Sequence, residues 1–332
     1  MDLELTQKIS SSDKKNSFFE KINNSYYKPE IYAVIGLILL SIALSIASPY
    51  FFTSRNMINL ARQVSLNAII ATGMTFVILT GGIDLSVGSI VAFTGTLIAG
   101  FIVNSGMSPV LASILGLALG TSFGVFNGLV ISNTKIPPII VTLGTMSMAR
   151  GAALLYTGGS PIAGLSAGFK FIGRGYLGAI PVPVWIMVLI LAVASVVLNK
   201  TKFGRHVCAL GDNEETVRLS GISVKAIKMK IYMITGFMSA IAGLILAARL
   251  GSGQPLAGEG WELDAIAATV VGGTDIMGGR GTIIGTLIGA FIIGMINNGL
   301  NLLNVSPYLQ LVVKGAVIVG AVFVRSGVVK RK

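Results

Sequence analysis

Charged residues are scarce in this chain, and their scarcity argues against a soluble fold. Asp, Glu, Lys and Arg make up 11% of its 332 residues, whereas a soluble domain carries about 25%. Apolar residues reach 53%, so most of the surface is expected to face lipid. A single cysteine, Cys208, excludes an internal disulfide, and a single histidine, His206, leaves no Cys/His zinc site. The sequence predicts neither a metal site nor a cofactor.

Catalytic and nucleic-acid-binding signals are also missing. Gly164–Gly168 matches a nucleophile elbow, but the only histidine is predicted on the other side of the membrane. Gly273–Arg280 resembles a P-loop but lacks the Lys-Ser/Thr pair that contacts phosphate and Mg²⁺. The net charge of +12 comes without interleaved basic and aromatic residues. We therefore expect neither an enzyme, nor an ATPase, nor a nucleic-acid-binding protein.

Long apolar segments predict an all-α integral membrane protein. Because a bilayer core about 30 Å thick needs about 20 apolar residues per helix, we expect about ten transmembrane helices. They lie near 31–52, 58–80, 83–103, 109–132, 137–157, 183–199, 231–250, 263–277, 282–303 and 308–324. Residues 30–325 thus form one transmembrane domain with a polar loop at 200–230, between tails at 1–29 and 326–332. The run Ile31–Ala47 is interpreted as an uncleaved first span, because it is longer than a usual signal sequence.

The distribution of Lys and Arg predicts the orientation. With both termini inside, most of the 25 basic residues fall in inner segments, and the outer segments hold only four. Since cytoplasmic loops are enriched in Lys and Arg, we place both tails and the 200–230 loop in the cytoplasm.

Glycine pairs interrupt two of the predicted spans. The sequence Gly81-Gly82-Ile83-Asp84 is similar to Gly272-Gly273-Thr274-Asp275. Glycine allows a helix to break where protein or water satisfies the backbone. Internal duplication is common in transporters, but glycine-rich sequences also resemble each other by chance, and both explanations stay open.

The 200–230 loop contains a predicted short helix. Asp212 is placed to cap it, with Glu215 at the third helical position. Glu214 and Arg218 are spaced for an i,i+4 ion pair, and Gly221 suits the left-handed turn that ends a helix. The residues alone also fit an ordinary basic loop of the cytoplasmic side.

Amides within the predicted spans are candidates for a polar pathway. Gln63 and Asn67 lie four residues apart, and Asn301 shares a helix face with both Asn297 and Asn298. Hydrogen bonding between packed helices is the alternative role.

Ionisable groups near the predicted span ends suggest two further features. Arg62, Arg150 and Lys314 fall toward the outer half, where they form a charged mouth with Glu259, Glu262 and Asp264 or simply reach the interface. Asp84 is a further candidate for the pathway, where it binds substrate or caps the following helix by accepting from the Ser86 and Gly88 amides, and capping is the favoured role.

Several long motifs resemble one family, the permeases of ribose-type sugar ABC importers. The motifs are Gly81–Gly88, Gly211–Ile222, Leu263–Gly273, Gly279–Gly289 and Asn297–Leu303. They occur in the family's order, and the resemblance covers residues 30 to 325.

The resemblance implies the fold of an ABC importer permease in a bacterial inner membrane. It implies a cytoplasmic coupling helix, Asn213–Ser220, that docks on a separate ATP-binding subunit. It also implies a second copy of the permease and an extracytoplasmic sugar-binding protein. By position, the coupling residues are Asp212, Asn213, Glu214, Glu215, Thr216, Arg218, Ser220 and Gly221.

The predicted function is therefore the ATP-driven import of a ribose-like monosaccharide. Branched-chain amino acids are an alternative substrate class within the same kind of transporter. An ion-coupled secondary transporter is the alternative from another class, and a passive channel is a third. Ion coupling usually uses carboxylates near mid-membrane, and the sequence shows none well inside a span, with Asp264 and Asp275 at span edges.

Overall fold

The structure is a computed structural model that describes residues 28–329 as a bundle of helices. The predicted tail 1–29 lies outside these residues except for its last two, and residues 326–329 of the other predicted tail continue the last helix. The helices are α1 (Lys28–Ala47), α2 (Ser54–Ile78), α3 (Val87–Val103), α4 (Pro109–Asn133), α5 (Pro138–Thr157), α6 (Ala167–Arg174), α7 (Val182–Lys200), α8 (Lys202–Asp212), α9 (Glu214–Leu219), α10 (Val224–Leu250), α11 (Trp261–Val271), α12 (Ile283–Leu302) and α13 (Pro307–Val329). Two small antiparallel sheets pair β1 (Ile162–Ala163) with β4 (Ser252–Gly253) and β2 (Tyr176–Leu177) with β3 (Ile180–Pro181).

Helix α2 lies at the centre of the bundle. Every residue from Val64 to Ile78 is buried, as expected for a helix without a polar face. Threonine hydroxyls join it to its neighbours. Thr235 of α10 donates to the Gly73 carbonyl at 3.1 Å, and the hydroxyls of Thr75 and Thr286 of α12 lie 2.7 Å apart.

A stripe of glycines allows α4 to pack directly on α10. Gly120, Gly124 and Gly128 follow one another at four-residue spacing on the buried face of α4. An added Cβ at Gly124 would lie 2.4 Å from the Tyr232 carbonyl oxygen of α10. Small residues at this spacing bring transmembrane helices into van der Waals contact along their backbones.

The two predicted interruptions are real, but they shorten the helices more than expected. The third predicted span begins at Val87 rather than 83, because the chain first turns through Gly81, whose φ is +72°. The eighth ends at Val271 rather than 277, because Gly272 packs tightly against Gly285 and Gly273 follows with a φ of +105°.

The predicted count of about ten spans is not confirmed. Helices occur at all ten positions, but within residues 28–329 seven are long and apolar enough to be candidate membrane spans: α1, α2, α4, α5, α7, α10 and α12. Helix α3 has 17 residues and α11 only 11. At 1.5 Å per residue, α11 covers about half of a bilayer core.

The connection between α10 and α11, residues 251–260, runs inside the bundle beside α3. We call it the deep segment. At its beginning, Gly253 touches the backbone of Thr96, and near its end, Gly258 touches that of Gly88. Strand β4 at its start pairs with β1 of the long loop after α5.

Candidate coupling surface and polar residues of the bundle

Helix α9 is the short helix that the sequence predicts in the polar loop, and it is two residues shorter than expected. It spans the six residues Glu214–Leu219. The predicted cap at Asp212 is wrong, because Asp212 is still the last residue of α8. Asn213, with an extended φ of −161°, is the cap instead, and its Oδ1 accepts from the Thr216 amide at 2.9 Å.

The predicted Glu214–Arg218 pair is also wrong. Arg218 binds Glu215, with Nε donating to Oε2 at 2.9 Å, because one turn of this short helix brings the i,i+3 pair together. Glu214 instead accepts from the Lys228 ammonium of α10 at 2.8 Å. The hydrogen bond from Arg218 holds the pKa of the Glu215 carboxyl below its usual range.

The outer face of α9 is exposed and carries one large apolar side chain. Val217 is buried against the protein, whereas Leu219 is 74% exposed. The polar residues next to Leu219 in the chain are exposed as well: Glu214, Glu215, Thr216, Arg218, Ser220 and Gly221. Gly221 has the predicted left-handed conformation, with a φ of +75°. Sequence reasoning missed Leu219, although an apolar residue in the middle of a polar loop was a usable signal.

Helix α8 connects this surface to both helix breaks. An added Cβ at Gly211 would lie 1.9 Å from the Leu79 carbonyl oxygen and 2.3 Å from the Gly279 nitrogen. Gly279 in turn donates its amide to the Leu79 carbonyl at 2.9 Å. The ends of the two breaks therefore meet at Gly211, two residues before the cap of α9.

The three asparagines of α12 contact different partners. Asn298 and Asn56 exchange two hydrogen bonds, of 3.0 and 2.8 Å. Asn297 donates to Asp264 of α11 at 3.2 Å, and Asn301 accepts from Gln310 of α13 at 2.9 Å. These contacts join α12 to α2, α11 and α13, and a role of the asparagines in the pathway stays a prediction. The other predicted pathway amides lie on α2, where Gln63 is half-buried and Asn67 is buried.

Asp84 is fully buried at the first helix break. Its Oδ1 accepts from the Ser86 amide at 2.9 Å, as predicted, and from the Ser86 hydroxyl at 2.6 Å. The Ser86 hydroxyl also accepts from Asn127 at 3.0 Å, and Asn127 accepts from Thr145 at 2.5 Å. The other predicted donor, the Gly88 amide, forms no hydrogen bond with Asp84 within the described residues, and the Gly88 backbone packs against Gly258. Asp84 thus anchors a polar network that joins α3, α4 and α5.

Asp264 is the second buried carboxylate. It forms an ion pair of 2.9 Å with Lys314 of α13. Both buried carboxylates lie at helix ends rather than well inside a span: Asp84 lies in the break before α3, and Asp264 lies in the first turn of α11. Within residues 28–329, the Oδ2 atom of Asp84 has no hydrogen-bond partner.

The cations of the predicted mouth occupy three separate environments. Arg62 donates to the Arg174 carbonyl at 2.8 Å and lies 4.8 Å from the centre of the Tyr176 ring. Arg150 donates to the carbonyls of Pro255 and Ala257 in the deep segment, at 2.7 and 2.8 Å. Lys314 pairs with Asp264, as described.

In the part of the chain that the structure describes, neither Glu259 nor Glu262 of the predicted mouth forms a salt bridge with Arg150. Glu259 is exposed and Glu262 is half-buried. Within residues 28–329, no cluster of three His, Cys, Asp or Glu side chains could hold a metal ion.

Comparison with known proteins identifies the family. Residues 56–322 match the family model of the branched-chain amino acid transport system permease component. The chain belongs to this permease family. A ribose import permease protein (RbsC) of Bacillus subtilis strain 168 is 55% identical over 87% of this chain and 90% of its own length.

Two other proteins agree with this assignment. The ribose import permease protein of Escherichia coli K12 is 47% identical over 88% of this chain and 92% of its own length. A solved structure described as a metal-chelate type ABC transporter in an inward-facing conformation has a TM-score of 0.50, at 16% identity, and covers 90% of this chain and 99% of that one. This likeness supports the fold of an ABC transporter permease. The chain is a multi-pass membrane protein with a transport role.

Proposed function

We propose that this chain is the membrane-spanning permease subunit of an ATP-driven importer for ribose or a closely similar monosaccharide. The observation that carries the proposal is the 55% identity to a ribose import permease over nearly the whole transmembrane region. Relatives that are named as D-allose and L-arabinose permeases share only 38%. The ranking of these sequence identities favours ribose over other sugars, and sugars over branched-chain amino acids.

The coupling surface of α9 is the proposed docking site for a separate ATP-binding subunit. A six-residue helix is too short to be stable alone, but α9 is held by Val217, by Asn213 and by the Glu214–Lys228 ion pair. It therefore presents Leu219 on a preformed surface. Removing an exposed leucine side chain from water at an interface is favourable, by about 1.5–3 kcal/mol when the burial is complete.

Movement of α9 would reach the bundle through Gly211. Because the carbonyl of Leu79 and the amide of Gly279 pack directly on this glycine, a displacement of α8 must displace the two helix breaks as well. Closure of the ATP-binding subunits would in this way change the access of the sugar to either side. Two copies of the chain, both with cytoplasmic termini in the inner membrane, and an extracytoplasmic sugar-binding protein complete the proposed importer.

The docking proposal is tested by Leu219→Asp in the full chain. We expect the variant to bind the ATP-binding subunit at least tenfold more weakly in detergent, because the burial of a leucine side chain contributes about 1.5–3 kcal/mol. The control is Leu177→Asp in the β2–β3 hairpin, where the leucine is also more than half exposed, at 53%. Unchanged binding by Leu219→Asp, with both variants folded, would reject α9 as the docking site.

A further inference from the structure

The deep segment places irregular backbone beside α3, from the middle of this helix to its N-terminal end. An added Cβ at Gly253 would lie 2.7 Å from the Thr96 Cα, and one at Gly258 would lie 2.6 Å from the Gly88 carbonyl oxygen. These two contacts are eight residues apart on α3, which corresponds to about 12 Å along a helix. The deep segment therefore runs alongside about half of α3, which has 17 residues.

Specific contacts satisfy and hold this backbone. Non-helical backbone at membrane depth is tolerated only where protein or water supplies its hydrogen bonds. The Arg150 guanidinium donates to the carbonyls of Pro255 and Ala257. At the start of the segment, Ser252 and Gly253 pair with Ala163 and Ile162.

Half of the deep segment is buried, and two of its side chains, Leu256 and Glu259, are exposed. Glu259 is exposed, and Gln254 is half-buried with its Nε2 donating to the Ser252 hydroxyl at 3.1 Å. Within residues 28–329, Glu259 forms no salt bridge. A carboxylate exposed to hydrocarbon is strongly unfavourable. We therefore expect the surface around Glu259 to face water or another protein subunit rather than lipid.

We propose that the deep segment forms part of the sugar pathway, and that Glu259 and Gln254 contact the passing monosaccharide. The Glu259 carboxylate would accept hydrogen bonds from sugar hydroxyls, and the Gln254 Oε1 offers a second acceptor beside it. Arg150 is a positioning residue, because it holds the backbone between these two side chains. This inference rests on the proposed function and adds to it the surface that the substrate touches.

Thiol accessibility tests the pathway without relying on transport. In a Cys208→Ser background, Glu259→Cys is compared with Leu189→Cys, because Leu189 lies in the middle of α7 and is 65% exposed. The complex with the ATP-binding subunit is placed in nanodiscs and treated with a charged, water-soluble methanethiosulfonate. We expect the thiol at position 259 to react at least tenfold faster than the one at 189. Equal, slow labelling at both positions would overturn the proposal.

Import by the reconstituted transporter tests the contact with the sugar. Glu259→Gln keeps the shape of the side chain and removes its charge, so we expect ribose import to fall about tenfold or more, as for the loss of a charged hydrogen bond. Size-exclusion chromatography establishes that equal amounts of complex are compared. Import at the rate of the unmodified protein would overturn the role of Glu259.

The two experiments separate this inference from the function on which it rests. If the unmodified protein imports no ribose, the proposed function fails, whereas the labelling result still decides whether the deep segment meets water. If the unmodified protein imports ribose and both Glu259 results are negative, the deep segment is not part of the pathway and the proposed function stands.

Discussion

At the scale of single residues, the burial of the Asp264 carboxylate is unfavourable unless a partner compensates its charge. Its side chain is 6% exposed, and its partner Lys314 is 20% exposed. Removal of one member of a buried pair leaves an uncompensated charge, whereas removal of both is often tolerated. The pair also joins α13 to α11, so its loss would affect the position of a whole helix.

We expect Lys314→Met to lower the stability by about 3–5 kcal/mol. The double variant Asp264→Asn, Lys314→Met should recover most of this loss, because no charge then stays buried. The measurement is thermal unfolding of the purified permease in detergent for the two single variants and the double variant. Equal stability of Lys314→Met and the double variant would contradict a buried ion pair.

Cys208 provides a chemical probe of the α8 helix. Burial raises the pKa of the Cys208 thiol, and the nearby Asp212 carboxylate raises it further. A raised pKa leaves less thiolate at neutral pH, so alkylation should be slower than for free cysteine and should increase only at higher pH. Asp212→Asn should move the pH profile of alkylation downward, and iodoacetamide labelling between pH 7 and 10 measures it. An unmoved profile would mean that the two groups do not interact.

At the scale of elements, glycine contacts determine how closely the helices approach. Gly124→Ala would place a methyl group 2.4 Å from the Tyr232 carbonyl oxygen, whereas Gly144 of α5 has no atom within 4 Å of an added Cβ. We expect Gly124→Ala to cost about 1–3 kcal/mol and Gly144→Ala to be neutral. Thermal unfolding of both variants in detergent is the check. Equal melting temperatures would argue against the direct α4–α10 contact.

The elements themselves could be predicted from the sequence far better than their ends. Apolar runs indicate helices at all ten positions, and Gly81-Gly82 and Gly272-Gly273 mark the two breaks. The start of α3 was placed too early, although the predicted contact between Asp84 and Ser86 is local in sequence. The end of α11 could not be predicted, because Gly272 packs on Gly285 and this contact needs the folded chain. The deep segment was missed for the same reason, since its sequence alone resembles an ordinary surface loop.

At the candidate site, too, local features could be predicted from the sequence and contacts between helices could not. The α9 helix and its closing Gly221 follow from local sequence signals. The partners of Glu214 and Arg218 do not, because Lys228 approaches Glu214 from another helix. The partners of the α12 asparagines could not be predicted either, because Asn56, Asp264 and Gln310 lie on three other helices.

At the scale of the whole molecule, the account describes a conduit that another protein drives with ATP. Of the two buried carboxylates, Asp264 is paired with Lys314, whereas Asp84 accepts from Ser86 through Oδ1 and its Oδ2 has no partner within residues 28–329. Ion coupling is therefore disfavoured by the 47–55% identity to ribose import permeases rather than by an absence of buried carboxylates. In the proposed mechanism, the exposed surface of α9 receives the movement of the ATP-binding subunit, and Gly211 of α8 passes it to the helix breaks.

Transport in sealed proteoliposomes tests this claim most directly. The permease is reconstituted with its ATP-binding subunit, ATP is trapped on the side of α9, and ribose-loaded binding protein is added on the other side without an ion gradient. The account predicts ribose accumulation that requires ATP and is lost in Leu219→Asp. Accumulation that needs an ion gradient but no ATP, or ribose flux through the permease alone, would contradict it.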